Sequence, residues 1–177
     1  KNMENKNIRI QNSSRYIHYL AAIVGAAVLI FLDQFTKHLV LDRLKGQPPF
    51  IIWEGVFQLE YLENRGAAFG LFQNQRIFFF ACVFIISIAI LWFYHRTPMD
   101  QRYLPLRLCA VFIMAGAWGN CIDRITLNYV VDFLYFKLID FPIFNVADIY
   151  VTVATFALAL FICFYYKEDE LERILRH

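Results

Sequence analysis

Four long apolar stretches, at about residues 16–41, 77–94, 104–122 and 149–166, constrain this chain more than any other feature of it. Each approaches or exceeds the roughly 20 residues that a bilayer-crossing helix needs. Hydrocarbon offers no hydrogen bonds, so a spanning segment must satisfy its own backbone, and a helix does so. The chain is 59% hydrophobic, whereas soluble domains average about 45–50%. The expectation is an all-α integral membrane protein with a single membrane domain over residues 1–177. It has four transmembrane helices, a small extracytoplasmic β-sheet and a short interfacial helix.

The sheet is expected at about residues 45–72. Pro48 and Pro49 stop any helix there. FQLEYLEN then puts Phe57, Leu59 and Tyr61 on one side and Gln58, Glu60 and Leu62 on the other, as in a half-exposed strand. Gly66 and Gly70 mark the turns that follow. The segment NYVVDFLYFKLIDF, between the third and fourth spans, is apolar enough to lie on the membrane surface.

Four spans put both termini on one side. The two tails and the loop between the second and third spans, with Arg107 near the start of the third span counted in, carry ten Lys and Arg residues, against six in the other two loops. The positive-inside rule then places both termini in the cytoplasm. The loop before the fourth span faces the outside of the membrane.

Several classes are disfavoured. A net charge of +2 gives no reason to expect nucleic acid. Cys82, Cys109, Cys121 and Cys163 lie at least twelve positions apart, which suits neither a disulfide framework nor a zinc site. The four histidines form no HExxH pair.

Chemistry concentrates between Asn120 and Asp148. Asp132 interrupts the apolar run YVVDFLYF, and Asp148 closes FNVAD at the start of the last span. Neither has Lys or Arg within three positions. A carboxylate beside a membrane without a local counter-charge is costly and is read first as functional. Two such groups brought together could share one proton, the working unit of aspartic peptidases. The plainer reading makes them interfacial or capping residues, with Asp148 the N-cap of the last helix. Asp123 sits beside Arg124 and reads as a structural ion pair. Asp33 and Lys37, four apart, also suit an ion pair. Asn64, Asn120 and Asn145 are polar groups at similar depth. A small proton-coupled transporter could use the same acidic pair, although the chain shows no internal repeat.

Five motifs in order tie these residues together: DQFTK at 33–37, ENRGAAFG at 63–70, AGAWGNCIDR at 115–124, VVDF at 130–133 and FNVAD at 144–148. With the four spans, they make the chain resemble the lipoprotein signal peptidases (signal peptidase II), bacterial intramembrane aspartic peptidases. One departure is Ala115, where the family usually has a second glycine. The resemblance implies a catalytic dyad of Asp132 and Asp148. It implies a substrate site shaped by Asn64, Gly66, Gly116, Asn120, Arg124 and Asn145, with Asp33, Lys37 and Asp123 in support. The implied substrate is a diacylglyceryl-modified prolipoprotein, cut just before its lipidated cysteine without metal or organic cofactor. The enzyme is expected to work as a monomer among membrane lipids in the bacterial cytoplasmic membrane, its site near the extracytoplasmic face.

Overall fold

The computed structural model describes residues 2–66 and 76–176, so Gly70 and the turn expected around it lie outside the described residues. Helix α1 runs Asn2–Leu44, and the basic segment before the first span, which reads as a flexible tail, carries this helix at its start. Strands β1 (Phe50–Trp53) and β2 (Phe57–Asn64) follow. Helices α2 (Arg76–Arg96) and α3 (Leu104–Thr126) lead to strand β3 (Val130–Tyr135). Helix α4 (Val146–Leu160) runs on through a π-helical turn, Phe161–Tyr165, and α5 (Glu168–Arg176) closes the chain.

Four helical segments are long and apolar enough to cross a membrane: Arg15–Leu44, Ile77–Arg96, Gln101–Thr126 and Val146–Tyr165. The third is the most enclosed of the four. It is the hub, packed against α1, α2 and α4. Small residues let α4 approach it closely. A Cβ on Gly116 would stand 2.5 Å from the Ala147 carbonyl oxygen and 2.6 Å from Val151 Cγ2. Such an interface needs small residues because packing, not hydrophobic exclusion, holds helices together in lipid.

The sheet has three antiparallel strands in the order β1-β2-β3. The alternation in FQLEYLEN does mark a strand. The Asp132 segment, expected to lie flat on the surface, is instead β3, hydrogen-bonded along β2 with Asn64 opposite Val130 and Leu62 opposite Asp132. Only Lys137–Ile139 forms a helical turn, of the 3₁₀ type. β3 carries no alternation because Val130, Val131, Asp132 and Phe133 are all buried. Val131 and Phe133 pack with Val40 and Tyr129, which fastens the sheet to the end of α1.

Phe144 brings the chain back from β3 to α4. Its carbonyl accepts from the N–H of Phe133 (3.0 Å) and of Leu134 (2.8 Å), and its own N–H donates to Leu134 O at 3.1 Å. This pairing delivers Asn145, and with it the start of α4, to the side of Asp132.

Candidate active site

Asp132 projects from β3 into the seam between sheet and helices, and it is 1% exposed. Both its oxygens are occupied by amides: Asn145 Nδ2 donates to Oδ1 at 2.6 Å and Asn64 Nδ2 to Oδ2 at 2.8 Å. Asn64, the last residue of β2, is itself fixed, because its Oδ1 accepts from Gly66 N–H at 3.0 Å. Burial, and next the negative charge of Asp148, push the Asp132 carboxyl up to about 7, against the pull of the two asparagine hydrogen bonds. The neutral form is favoured where desolvation is strong and a like charge is near.

Asp148 comes from the first turn of α4. Sequence alone suggests it as the helix N-cap; the cap is Asn145, and Asp148 is the third residue of a capping box. Asn145 Oδ1 accepts from Asp148 N–H at 3.0 Å, and Asp148 Oδ2 accepts from Asn145 N–H at 3.1 Å. The reciprocal arrangement satisfies two helix-end donors at once. Asp148 Oδ1 accepts from Asn120 Nδ2 at 2.7 Å. Asn145 thus touches both carboxylates, and its Nδ2 also reaches Asn120 Oδ1 at 3.1 Å. Among the described residues, no Lys or Arg forms an ion pair with Asp132 or Asp148.

Beneath the pair lies a buried charge cluster. Lys37 Nζ is 2.8 Å from Asp33 Oδ2 and 3.0 Å from Asp123 Oδ2, all three side chains being at most 2% exposed. The expected Asp33–Lys37 pair exists. The expected Asp123–Arg124 pair does not: neighbours on a helix point apart, and Asp123 turns to Lys37 on α1. Asp123 also accepts from Gln34 Nε2 (2.8 Å) and from Val131 N–H (3.1 Å), which ties α3 to β3. Asp33 Oδ1 accepts from Ala147 N–H at 2.9 Å, so an acid from α1 sits on the N-terminus of α4, where the helix dipole favours negative charge. Lys37 completes its donors with Asn120 Oδ1 at 2.9 Å. Gln34 belongs to the same cluster. Its place inside the first motif is the only signal of it in the sequence.

Arg124 reaches away from Asp123. It donates to the carbonyls of Asn120 (3.2 Å) and Gly66 (3.1 Å), and its guanidinium lies 4.1 Å from the centre of the Phe79 ring. It therefore ties the end of β2 to α3 and α2. Phe79, in an apolar run of phenylalanines, carries no such signal in sequence.

These groups line a cavity of about 610 Å³. Asn64, Gly66, Asn120, Arg124, Asp132 and Asp148 form its polar floor, and Phe141, Pro142, Ile143, Ile149 and Val153 belong to its apolar walls. Ile149 and Val153 are also exposed on the outer face of α4. Gly116 lies elsewhere, at the α3–α4 contact, and Asn145 is fully buried behind the two acids. Among the described residues, no grouping of His, Cys, Asp and Glu is arranged to hold a metal ion.

Comparison with known proteins shows which family the chain resembles along most of its length. Residues 25–164 match the family described as signal peptidase (SPase) II. The chain is 40% identical to the lipoprotein signal peptidase of Caldanaerobacter subterraneus subsp. tengcongensis over 144 residues, 81% of this chain and 96% of that one. It is 45% identical over 136 residues to the lipoprotein signal peptidase of Symbiobacterium thermophilum, 76% of this chain and 88% of the other. A solved bacterial membrane enzyme superposes with a TM-score of 0.71 at 28% identity, covering 84% of this chain and 92% of its own.

Proposed function

The chain belongs to the signal peptidase II family and cleaves lipoprotein signal peptides, and from that premise we propose that Asp132 and Asp148 are its catalytic pair. On this reading the enzyme is an intramembrane aspartic endopeptidase. It cuts diacylglyceryl-prolipoproteins before the lipidated cysteine and works as a monomer. The observation that supports it most is that two carboxylates from separate segments, neither ion-paired among the described residues, line one cavity and share Asn145.

The pair holds one proton. Asp132, whose carboxyl is raised to about 7, is the member suited to carry it; Asp148 is the base. Asp148 takes a proton from a water drawn between the carboxylates, and the water oxygen attacks the scissile carbonyl carbon. Asp132 gives its proton to the carbonyl oxygen. When the tetrahedral adduct collapses, the C–N bond breaks, the proton held by Asp148 passes to the leaving nitrogen, and one hydroxyl of the adduct returns its proton to Asp132 as the new carbonyl forms.

Asn64, Asn120 and Asn145 hold the carboxylates in position, and Arg124 and Gly66 bound the floor on which the peptide lies. The lipid enters sideways past Ile149 and Val153, because its acyl chains cannot cross water cheaply. The excess of Lys and Arg near the termini supports a cytoplasmic location for both ends and an extracytoplasmic active site. The test is incubation of purified protein in detergent with a lipidated precursor. Release of signal peptide by the parent chain, but not by Asp132→Asn or Asp148→Asn, is expected. Turnover by either variant at the parent rate would overturn the assignment.

A further inference from the structure

At the end of the bundle opposite the aspartates, α1 and α3 part to leave an apolar groove of about 410 Å³. Ala21, Ala22, Gly25 and Val28 line it from α1, and Leu108 and Val111 face them from α3. At its mouth stand His18 and Arg107. Arg107 is 3% exposed, and among the described residues no carboxylate ion-pairs with it. Its Nη1 donates to the carbonyls of Pro98 and Asp100, which fixes the guanidinium where α3 leaves the loop. The Asp100 carboxylate is turned to Arg102 N–H at 3.0 Å. A guanidinium has five N–H donors, and two carbonyls leave most of them for another acceptor.

We propose that this groove holds an acyl chain of an anionic phospholipid, with Arg107 beneath the phosphate. Three observations favour that occupant. The groove is lined from three of the membrane-crossing segments, with Tyr94 of α2 joining α1 and α3, so lipid is what meets it. From His18 to Leu29 it follows α1 for about 16 Å at 1.5 Å per residue, close to one leaflet of a hydrocarbon core roughly 30 Å thick. Among the described residues its one buried charge, Arg107, is positive and stands at the interfacial end, and Arg15 and His95 lie nearby, joined by a hydrogen bond from the Arg15 guanidinium to the His95 carbonyl. An anionic headgroup would be attracted here and a zwitterionic one much less. The site belongs to the leaflet on the side of the termini, apart from the chemistry.

The test is native mass spectrometry of the purified full chain in neutral detergent, titrated with dioleoylphosphatidylglycerol, dioleoylphosphatidylcholine or inorganic phosphate. The phosphatidylglycerol complex is expected to be tighter than the phosphatidylcholine complex by at least about tenfold, because both lipids offer a phosphate but only phosphatidylglycerol carries a net negative charge. Arg107→Gln should abolish that preference. Gly25→Leu leaves the arginine intact and fills the groove from a position where a Cβ meets only Val111 Cγ1, at 3.8 Å. It should weaken phosphatidylglycerol binding while cleavage of lipidated precursor persists, and it decides the matter alone if Arg107→Gln does not fold. Equal affinity for the two lipids would overturn the proposal. So would an undiminished preference in Gly25→Leu or in folded Arg107→Gln, or inorganic phosphate that competes as well as the lipid does.

Discussion

Lys37 Nζ donates to Asn120 Oδ1 at 2.9 Å, and this one contact sets the direction of the Asn120 amide. An ammonium group can only donate, so the Asn120 oxygen faces Lys37 and its Nδ2 must face Asp148. The buried cluster thereby reaches the cavity floor through a side chain of defined polarity. Lys37→Met would leave Asp33 and Asp123 buried without their cation, a change of the kind that costs about 3–5 kcal/mol. The expected outcome is a large fall in thermal unfolding temperature in detergent, with activity lost in proportion to folded protein. Unfolding at the parent temperature would show that the cluster contributes little.

The dyad variants should behave differently. On the proposed mechanism Asp132→Asn and Asp148→Asn each remove a proton-transfer group, and such groups typically contribute 10²–10⁴-fold to rate. Cleavage of lipidated precursor should fall by at least about a hundredfold, with expression and membrane insertion intact. Asp123→Asn, which touches Lys37, Gln34 and Val131 rather than the cavity, should act through stability instead. A purely catalytic loss in Asp123→Asn, at unchanged unfolding temperature, would move it into the active site.

The pH dependence follows from Asp132. Its carboxyl rises from an ordinary 3.8 to about 7 in the folded protein. Between those values the folded chain holds a proton that the unfolded chain has released. Stability must therefore fall as pH rises through that window and level off above it. Unfolding temperatures measured from pH 4 to 8 should show this slope in the parent and a shallower one in Asp132→Asn. On the proposed mechanism peptidase activity should also decline above about pH 7, as the pair loses its shared proton, an apparent value that belongs to both carboxylates. A rate that keeps rising well past that pH would contradict the scheme.

The spans could be read because lipid exposure demands uninterrupted apolar sequence, and the two unaccompanied aspartates stood out against it. The partners could not. Asp123 is followed by an arginine, yet its cation is Lys37, far away in sequence on α1. Adjacent residues on a helix diverge, and only the packing of α1 on α3 brings that pair together. β3 shows no alternation because both its faces are covered, so VVDFLY reads as a surface segment although it is a strand. Asn145, and not Asp148, caps α4, since either residue fits the pattern and the return of the chain through Phe144 decides between them.

Gly116 offers a packing test. A side chain there would collide with the Ala147 carbonyl and Val151, and backbone cannot turn aside as a flexible side chain can. Gly116→Val should push α3 and α4 apart and destabilise by about 1–3 kcal/mol or more, as overpacking does. Because α4 carries Asp148, its displacement should also slow cleavage by the protein that remains folded. Thermal unfolding and specific activity, measured together, would check both effects. Unchanged values in both would mean that the two helices are not held this closely.

Lipidation of the substrate should matter more than its peptide sequence. The polar floor of the cavity is small, whereas Phe141, Ile143, Ile149 and Val153 offer apolar surface continuous with the exposed face of α4. An acyl chain contributes about 0.8 kcal/mol per buried methylene on leaving water. Most of that gain is already made in the bilayer, so the chain serves chiefly to concentrate and orient the precursor. On the proposed mechanism, without it the scissile bond must reach Asp132 and Asp148 from water, past the apolar wall. The unlipidated precursor should therefore show kcat/KM lower by at least about tenfold, the equivalent of roughly 1.4 kcal/mol, with most of the change in KM. Competition assays with lipidated and unlipidated precursor in the same detergent would measure it. Equal kcat/KM for the two would mean that the apolar wall takes no part in recognition.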